Sequence, residues 1–388
     1  MTHLRSAYGL GAAVLVLLGL AAPPAGAEPS DPWVRAWGLN SAGQLGNGST
    51  LDQQTPSAVS GLSRNDVREL ATGGGSNDRN HAVALLQDGT VQSWGGNNKG
   101  QLGDGTTVDR SLPAAVTGLS RVSDVAAGID FAVAVRDGRV LSWGGNAHGQ
   151  LGDGTAADQS TRPVRVQSLS KVKDVAAGCQ FTVALRQDGT VWSWGRNHQG
   201  QLGTGSTTDR NTPQRVPGLS DVVAVAAGCQ HALALTSEGT VKAWGRGFDG
   251  QLGNDTTELS SSPVDVLHLD SVARVFSGWY HSFALLDDGS VRAWGGNWAG
   301  QLGDGSTVKR TTPVPVPALT GVSSLAGGYA FSLAVLDDRS VLAWGDNASG
   351  QLGDGTTTAS SSPVVALPPG SGIGRVPALL PWKSSYAY

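Results

Sequence analysis

Several residue types and motifs are scarce, and each scarcity excludes something. Met occurs once, at position 1, and Cys only at Cys179 and Cys229 in 388 residues. The 27 Lys and Arg are scattered against 31 Asp and Glu, for a net charge of -4. No basic face of the kind nucleic-acid binders present is visible, so nucleic acid is not an expected partner. No Gly-Lys-Ser/Thr occurs, so the many Gly-rich loops are not phosphate-binding P-loops. No His-x-x-x-His or Cys-x-x-Cys occurs either, and neither a metal nor a cofactor is expected. Helical periodicity is missing throughout. Beyond the first 27 residues no run is apolar enough to enter a membrane.

Those first 27 residues have the layout of an export signal. Arg5 gives a positive start, Leu10 to Leu20 an apolar run too short to span a bilayer, and Ala25-Gly26-Ala27 a small-residue cleavage site. The expectation is a secreted protein, bacterial in type, whose mature chain starts at Glu28 and forms one domain over residues 28–388. After cleavage it has no membrane contact and is expected to be a monomer.

What the chain has in abundance is repetition. Trp-Gly pairs begin at Trp37, Trp94, Trp143, Trp194, Trp244, Trp294 and Trp344, at spacings of 57, 49, 51, 50, 50 and 50. A Gln-Leu-Gly follows each, at Gln44, Gln101, Gln150, Gln201, Gln251, Gln301 and Gln351. So regular a period marks one supersecondary unit copied in tandem. Within a unit, a short apolar run ends in Ala-Ala-Gly, and a second run, such as His231 to Leu235, is apolar nearly throughout. An Asp-Gly or Glu-Gly turn then leads into the strand ending at Trp-Gly. Asp-Gly between apolar runs predicts a hairpin with a primed turn. A Pro stands 12 or 13 residues after each Gln, at Pro56, Pro113, Pro163, Pro213, Pro263, Pro313 and Pro363. Proline suits an edge strand, so this segment is expected outermost.

Four short antiparallel strands per repeat, seven times over, predict an all-β, seven-bladed propeller. The N-terminus supplies only a third strand, Trp33 to Trp37, and a fourth. The tail from Gly374 to Tyr388 is expected to complete that blade with two short strands and close the ring, Tyr386-Ala387-Tyr388 standing for His-Ala-Leu.

These motifs (Val-x-x-Trp-Gly, Gly-Gln-Leu-Gly-x-Gly, Ala-Ala-Gly-x-x-His and Leu-x-x-Asp-Gly) resemble the repeat of the regulator of chromosome condensation family over roughly residues 33 to 368. The resemblance implies a seven-bladed propeller that works mostly through protein contacts. The family's founding nuclear member is a guanine-nucleotide exchange factor, and its secreted bacterial relatives include β-lactamase inhibitors with shorter repeats. Gly278-Trp279-Tyr280-His281 is similar to a motif of plant photoreceptors with this fold but occurs once.

The seven repeat Trp are expected to be packing residues, each removing ~150–250 Å² from water. His81, His231 and His281 share a repeat position with Phe131, Phe181 and Phe331 and are read as packing too. Cys179 and Cys229 lie just after the inner strands of adjacent blades, where the strands crowd around the axis. A disulfide is predicted, the alternative being two small buried residues. Function is sought where the copies differ. The irregular aromatics Phe248, Trp279, Tyr280, Trp298 and Tyr329, with Arg246, fall in loops expected on one face, with Arg196 and Asp249 in the same loop class. They form either a partner-binding patch or local packing. Residues 73–80 form an insertion on the same face. The leading expectation is a non-catalytic scaffold for a protein of unknown identity, with no catalytic residues. The alternatives are nucleotide exchange, or a glycan-acting enzyme with Asp130 and Asp249 as candidate carboxylates.

Overall fold

The computed structural model describes residues 34–63, 66–74, 78–155 and 157–388, which fall in one compact unit, Pro32–Tyr388. The segment expected to be an export signal, Trp33 and residues 75–77 of the expected insertion lie outside the described residues. The described residues form seven antiparallel sheets and no helix. We number the blades by their Trp, from blade 1 (Trp37) to blade 7 (Trp344). Blade 5 is typical. Val222–Ala227 pairs with His231–Thr236, which pairs with Val241–Gly245, which pairs with Ser260–Asp265. The Pro-containing strand is outermost in every blade.

The second strand is buried nearly throughout because it is covered by neighbouring blades on both faces. Ala232, Leu233 and Ala234 are all inaccessible, and Ala232 and Leu233 belong to two different core clusters. Burial alone holds the His81 imidazole down to about 4 and accounts for most of the lowering of His231 and His281 to about 3, so all three are neutral packing groups. The Nε2 of His231 pairs with the Ser282 hydroxyl of the next blade, and that of His281 with Ser332, both at 2.9 Å.

The Asp-Gly hairpins differ from the expected form in all but one case. At Asp88-Gly89 the amide of Leu86 bonds Thr90 O and the amide of Gly89 bonds Leu86 O, and only the glycine has positive φ (78°). This is a three-residue loop, a type I turn closed by a left-handed residue. Asp137-Gly138 alone makes the two-residue primed turn, with both φ positive (52° and 70°). Its repeat has the 49-residue spacing, one residue having been dropped from the loop.

Adjacent blades are joined by a recurrent staple. Each Trp indole N–H donates to the carbonyl of the Gln in the preceding blade's Gln-Leu-Gly: Trp94 to Gln44, Trp143 to Gln101, Trp194 to Gln150, Trp244 to Gln201, Trp294 to Gln251 and Trp344 to Gln301, at 2.9–3.0 Å. Trp37 closes the circle onto Gln351 of blade 7 at 2.9 Å. All seven indoles are fully buried. The motif's glycine makes the approach possible. At Gly203 (φ +67°), a Cβ would lie 2.8 Å from the Trp244 ring.

Blade 1 is built from both ends of the chain, as expected, but with one tail strand instead of two. Ser384–Ala387 pairs with Arg35–Gly38, which pairs with Gln53–Ala58. Ser384 stands opposite Gly38 as His231 stands opposite Gly245, so the repeat begins at Ser384, two residues before the expected Tyr386. The inner position is filled by residues 374–380 in irregular conformation. They are tied on by Gly374 and Arg375 amides to Tyr388 O and by the Tyr388 amide to Arg375 O. Pro377 and Pro381 lack the N–H that a regular ladder needs there.

Replacing Trp244 by Phe leaves a buried carbonyl unpaired and should cost about 1–3 kcal/mol in urea unfolding. Gly203→Ala should cost at least as much, through the same contact. Unfolding midpoints equal to wild type for both variants would show that the staple carries no stability.

Candidate binding face

The loops between inner and second strands meet around one mouth of the central channel. They hand a hydrogen bond from blade to blade. The Ile129 amide donates to Cys179 O (2.7 Å), Cys179 to Cys229 O (3.0 Å), Cys229 to Trp279 O (3.1 Å) and Trp279 to Gly328 O (3.0 Å). On this ring the sulfurs of Cys179 and Cys229 are bonded, with Cα atoms 4.4 Å apart, stapling blades 4 and 5. The C-terminal tail caps the same mouth. The Leu380 amide donates to Gly327 O (2.9 Å), the Thr72 hydroxyl to Leu379 O (2.7 Å) and the Trp279 indole to Leu380 O (3.0 Å).

The irregular aromatics assemble on this frame. Tyr329 lies between Trp279 (5.5 Å between ring centres), Tyr280 (5.6 Å), Trp298 (5.8 Å) and Trp382 (3.7 Å). Arg246 sits over Tyr280 at 4.7 Å and Phe248 at 5.4 Å, and pairs with Asp249. The cluster runs across blades 5, 6 and 7 and onto the tail, and its aromatics and Arg differ sharply in exposure. Phe248 and Trp298 are 43% and 46% exposed, while Trp279 is 4% exposed. Trp279 therefore supports the cluster from below, tied to the tail, and offers no contact surface of its own. Tyr280, Tyr329 and Arg246 are half-buried between the two.

Sequence reasoning missed Trp382, a tail residue read only for strand potential. Its signal was a Trp outside the repeat register. Blade 5 also departs in its frame. Elsewhere the first loop position after Trp-Gly-x is an Asn whose Oδ1 accepts the Leu amide, as Asn197 does from Leu202 (2.9 Å). In blade 5 it is Gly247, next to the exposed Phe248. Of the other loop residues, Arg196 donates to Gln180 Oε1 (2.7 Å), and the Asp130 carboxyl accepts from Gln101 Nε2 (3.2 Å) and is raised by burial. Asp130 and Asp249 are thus engaged separately, in blades 3 and 5, and do not form a carboxylate pair.

The opposite mouth carries a second feature the sequence reading did not anticipate. Glu69, Asp124 and Asp174 occupy one register of the inner strands in blades 2, 3 and 4, where blades 5, 6 and 7 have Ala224, Arg274 and Ser324. Asp124 accepts the amide of Val175 in the next blade at 2.7 Å. Glu69 lines a cavity of about 670 Å³ with Arg274, Ser324, Arg375 and Tyr388. Burial, first of all, pushes all three carboxyls up, Glu69 to about 7, and repulsion from neighbouring carboxylates adds to it at Glu69 and Asp124.

Fold and face together define a tandem-repeat propeller in which a uniform frame presents non-uniform loops. A family model described as the RCC1-like domain matches residues 165–378, more than half the chain. The regulator of chromosome condensation (RCC1) repeat matches 34–77, 88–135 and 137–185. The chain belongs to this family. It is 36% identical over 104 residues to the ultraviolet-B receptor UVR8 of Arabidopsis thaliana and 37% identical over 102 residues to the Protein RCC2 homolog of Danio rerio. These matches cover 26% of this chain in each case, and only 22% and 20% of those relatives' lengths. Among solved structures, Prp20p of Saccharomyces cerevisiae is similar over 93% of this chain and 92% of that one, with a TM-score of 0.78 at 22% identity. Prp20p has binding properties toward Gsp1p and histones.

Glu69→Gln mimics the neutral acid at the carboxylate ring. Because the folded-state pKa of Glu69 is raised, the native chain holds more protons than the unfolded one between about pH 4.5 and 7, and deprotonation costs stability as pH rises through that window. The variant should match wild type near pH 4 and melt a few degrees higher at pH 8. Melting curves across that range check it, and a difference that does not vary with pH would refute the assignment.

Proposed function

We propose that this chain is an exported, non-catalytic propeller scaffold of bacterial type that holds a protein partner on its loop face. The observation that carries the reading is the aromatic cluster, in which exposed Phe248 and Trp298 stand on a packed layer of Tyr280, Tyr329, Trp279 and Trp382 with Arg246 among them. Rigid aromatics beside an Arg, backed by buried rings, have the makeup of interface hot spots, because they bury large area at little loss of side-chain freedom. The disulfide favours an oxidising compartment, as does the signal-like start of the sequence. Family membership adds that relatives such as Prp20p bind proteins. An exchange-type role rests on family membership alone, since no exchange residue can be placed on this chain.

Immobilised chain should capture a specific partner from extracellular fractions. Phe248→Ala combined with Trp298→Ala should weaken capture by roughly 30-fold or more, the scale of about 2 kcal/mol expected of a hot spot. Leu51→Ala, at an exposed residue in the third-to-outer loop of blade 1, should leave it unchanged. Equal capture by the double variant, with wild-type near-UV circular dichroism, would remove the face from consideration.

A further inference from the structure

Histidine is rare outside the buried repeat position, yet two of the remaining imidazoles meet. His148 lies in the third-to-outer loop of blade 3, and His198 in the corresponding loop of blade 4. They do not occupy equivalent repeat positions, and no other blade has a His at either one. Their rings are 5.9 Å apart, edge to face, and both address the carboxylate of Asp209 at the start of blade 4's outer strand. His148 Nδ1 is 3.0 Å from Asp209 Oδ2, and His198 Nε2 is 3.5 Å from Asp209 Oδ1. The three ligand atoms all lie within 4.8 Å of one another.

We propose that His148, His198 and Asp209 form a zinc site bridging blades 3 and 4 on the loop face, with at least one coordination position open to water or a partner's side chain. Tetrahedral zinc holds nitrogen and oxygen ligands at about 2.0–2.2 Å, which places neighbouring ligand atoms about 3.4 Å apart. Each imidazole nitrogen already lies near that distance from one oxygen of the Asp209 carboxylate, His148 from Oδ2 (3.0 Å) and His198 from Oδ1 (3.5 Å). Two imidazoles and one carboxylate are a borderline donor set that suits Zn²⁺ over Ca²⁺ or Mg²⁺, which take oxygen.

The site is also built from behind. Asp209 Oδ1 accepts the Asn197 amide at 2.7 Å, which fixes the carboxylate. Asn197 Nδ2 donates to Thr208 O at 3.0 Å, so His198 and Asp209 flank one hydrogen-bonded bridge within blade 4. His148 arrives from blade 3 with its own amide donating to Gln150 Oε1 at 2.9 Å. Such outer hydrogen bonds preset ligand geometry. The equivalent carboxylate two blades back in the ring, in blade 2, makes the contrast. Asp109 likewise accepts the Asn97 amide (2.8 Å), but its partner is the Arg79 guanidinium at 2.8 Å, a built-in cation. Beside Asp209 two imidazoles stand where that Arg would supply the charge. Sequence reasoning expected no metal because it searched for ligands a few residues apart. Here they are 50 and 11 residues apart, and only the blade period brings them together.

The purified chain, freed of metal and then equilibrated with micromolar Zn²⁺, should hold one zinc per chain by elemental analysis after dialysis. Zinc should raise its melting temperature, and chelation should reverse the rise. Co²⁺ in place of zinc should give the visible d–d bands of a low-coordinate site. His148→Ala, His198→Ala and Asp209→Asn should each weaken zinc binding at least 10-fold. The double variant His148→Ala/His198→Ala should lose the stoichiometric zinc, the cobalt bands and the zinc-dependent melting shift, while melting like the metal-free wild type without zinc. His268→Ala, at an exposed histidine elsewhere, should bind as wild type does. Absence of stoichiometric zinc in the wild type, or undiminished zinc in the double variant, would overturn the proposal. Neither result bears on the aromatic face.

Discussion

The propeller depends on one hydrogen bond made seven times, from a Trp indole to the Gln carbonyl of the blade before it. The other recurring residues are arranged around that bond. The motif's Leu is buried, and in six of the seven blades its amide is held by Asn, as by Asn197, so the carbonyl is presented at a fixed place. The glycine gives up its side chain so that the ring can lie against the backbone. A buried indole N–H without a partner would cost as much as the bond stabilises, so the pattern is hard to leave one residue at a time. Uniformity at these positions is a packing requirement and carries no information about ligands.

How much could be read from the chain follows from that division. Blade number, strand count and the outermost place of Pro213 or Pro263 follow from the period and from proline's missing N–H, which are local properties. The turn at Asp88-Gly89 was misjudged because Asp-Gly serves two hairpin forms, and the choice depends on whether the loop has two residues or three. The register of the tail was misjudged because Ser384 and Ser385 do not look like His-Ala. They fit because Ser385 donates its hydroxyl to Gln351 O, as Ser282 does to Gln251 O. Small hydroxylic residues at that position are a signal visible only once the neighbouring blade is in place.

The sites divide in the same way. Loop irregularity led to Phe248, Trp298 and Tyr329, and their meeting could be expected from blade order alone. Which of them is exposed could not, because exposure depends on the tail, and Trp279 is covered by it. The carboxylates Glu69, Asp124 and Asp174 lie within strands, where irregularity is masked by the apolar context. His148 and Asp209 are brought together by a contact between blades that no short motif describes. These omissions concern contacts between repeats, and the Cys179–Cys229 bond is a contact between blades that the repeat spacing did make legible.

The composite blade has a consequence for the order of events in folding. Residues 35–38 form their sheet with a strand some 350 residues later, and Trp37 finds its acceptor in blade 7. Blades 2 to 7 can form from contiguous chain as it appears, each resting on the one before. Blade 1 cannot, so its first two strands must wait, with one edge unpaired, until the final residues exist. Closing so long a loop adds only slowly to the entropic cost, but it makes completion of the ring a single late step. Until then the molecule is an open arc whose two ends are each other's missing partner, and a neighbouring chain at the same stage offers the same edge.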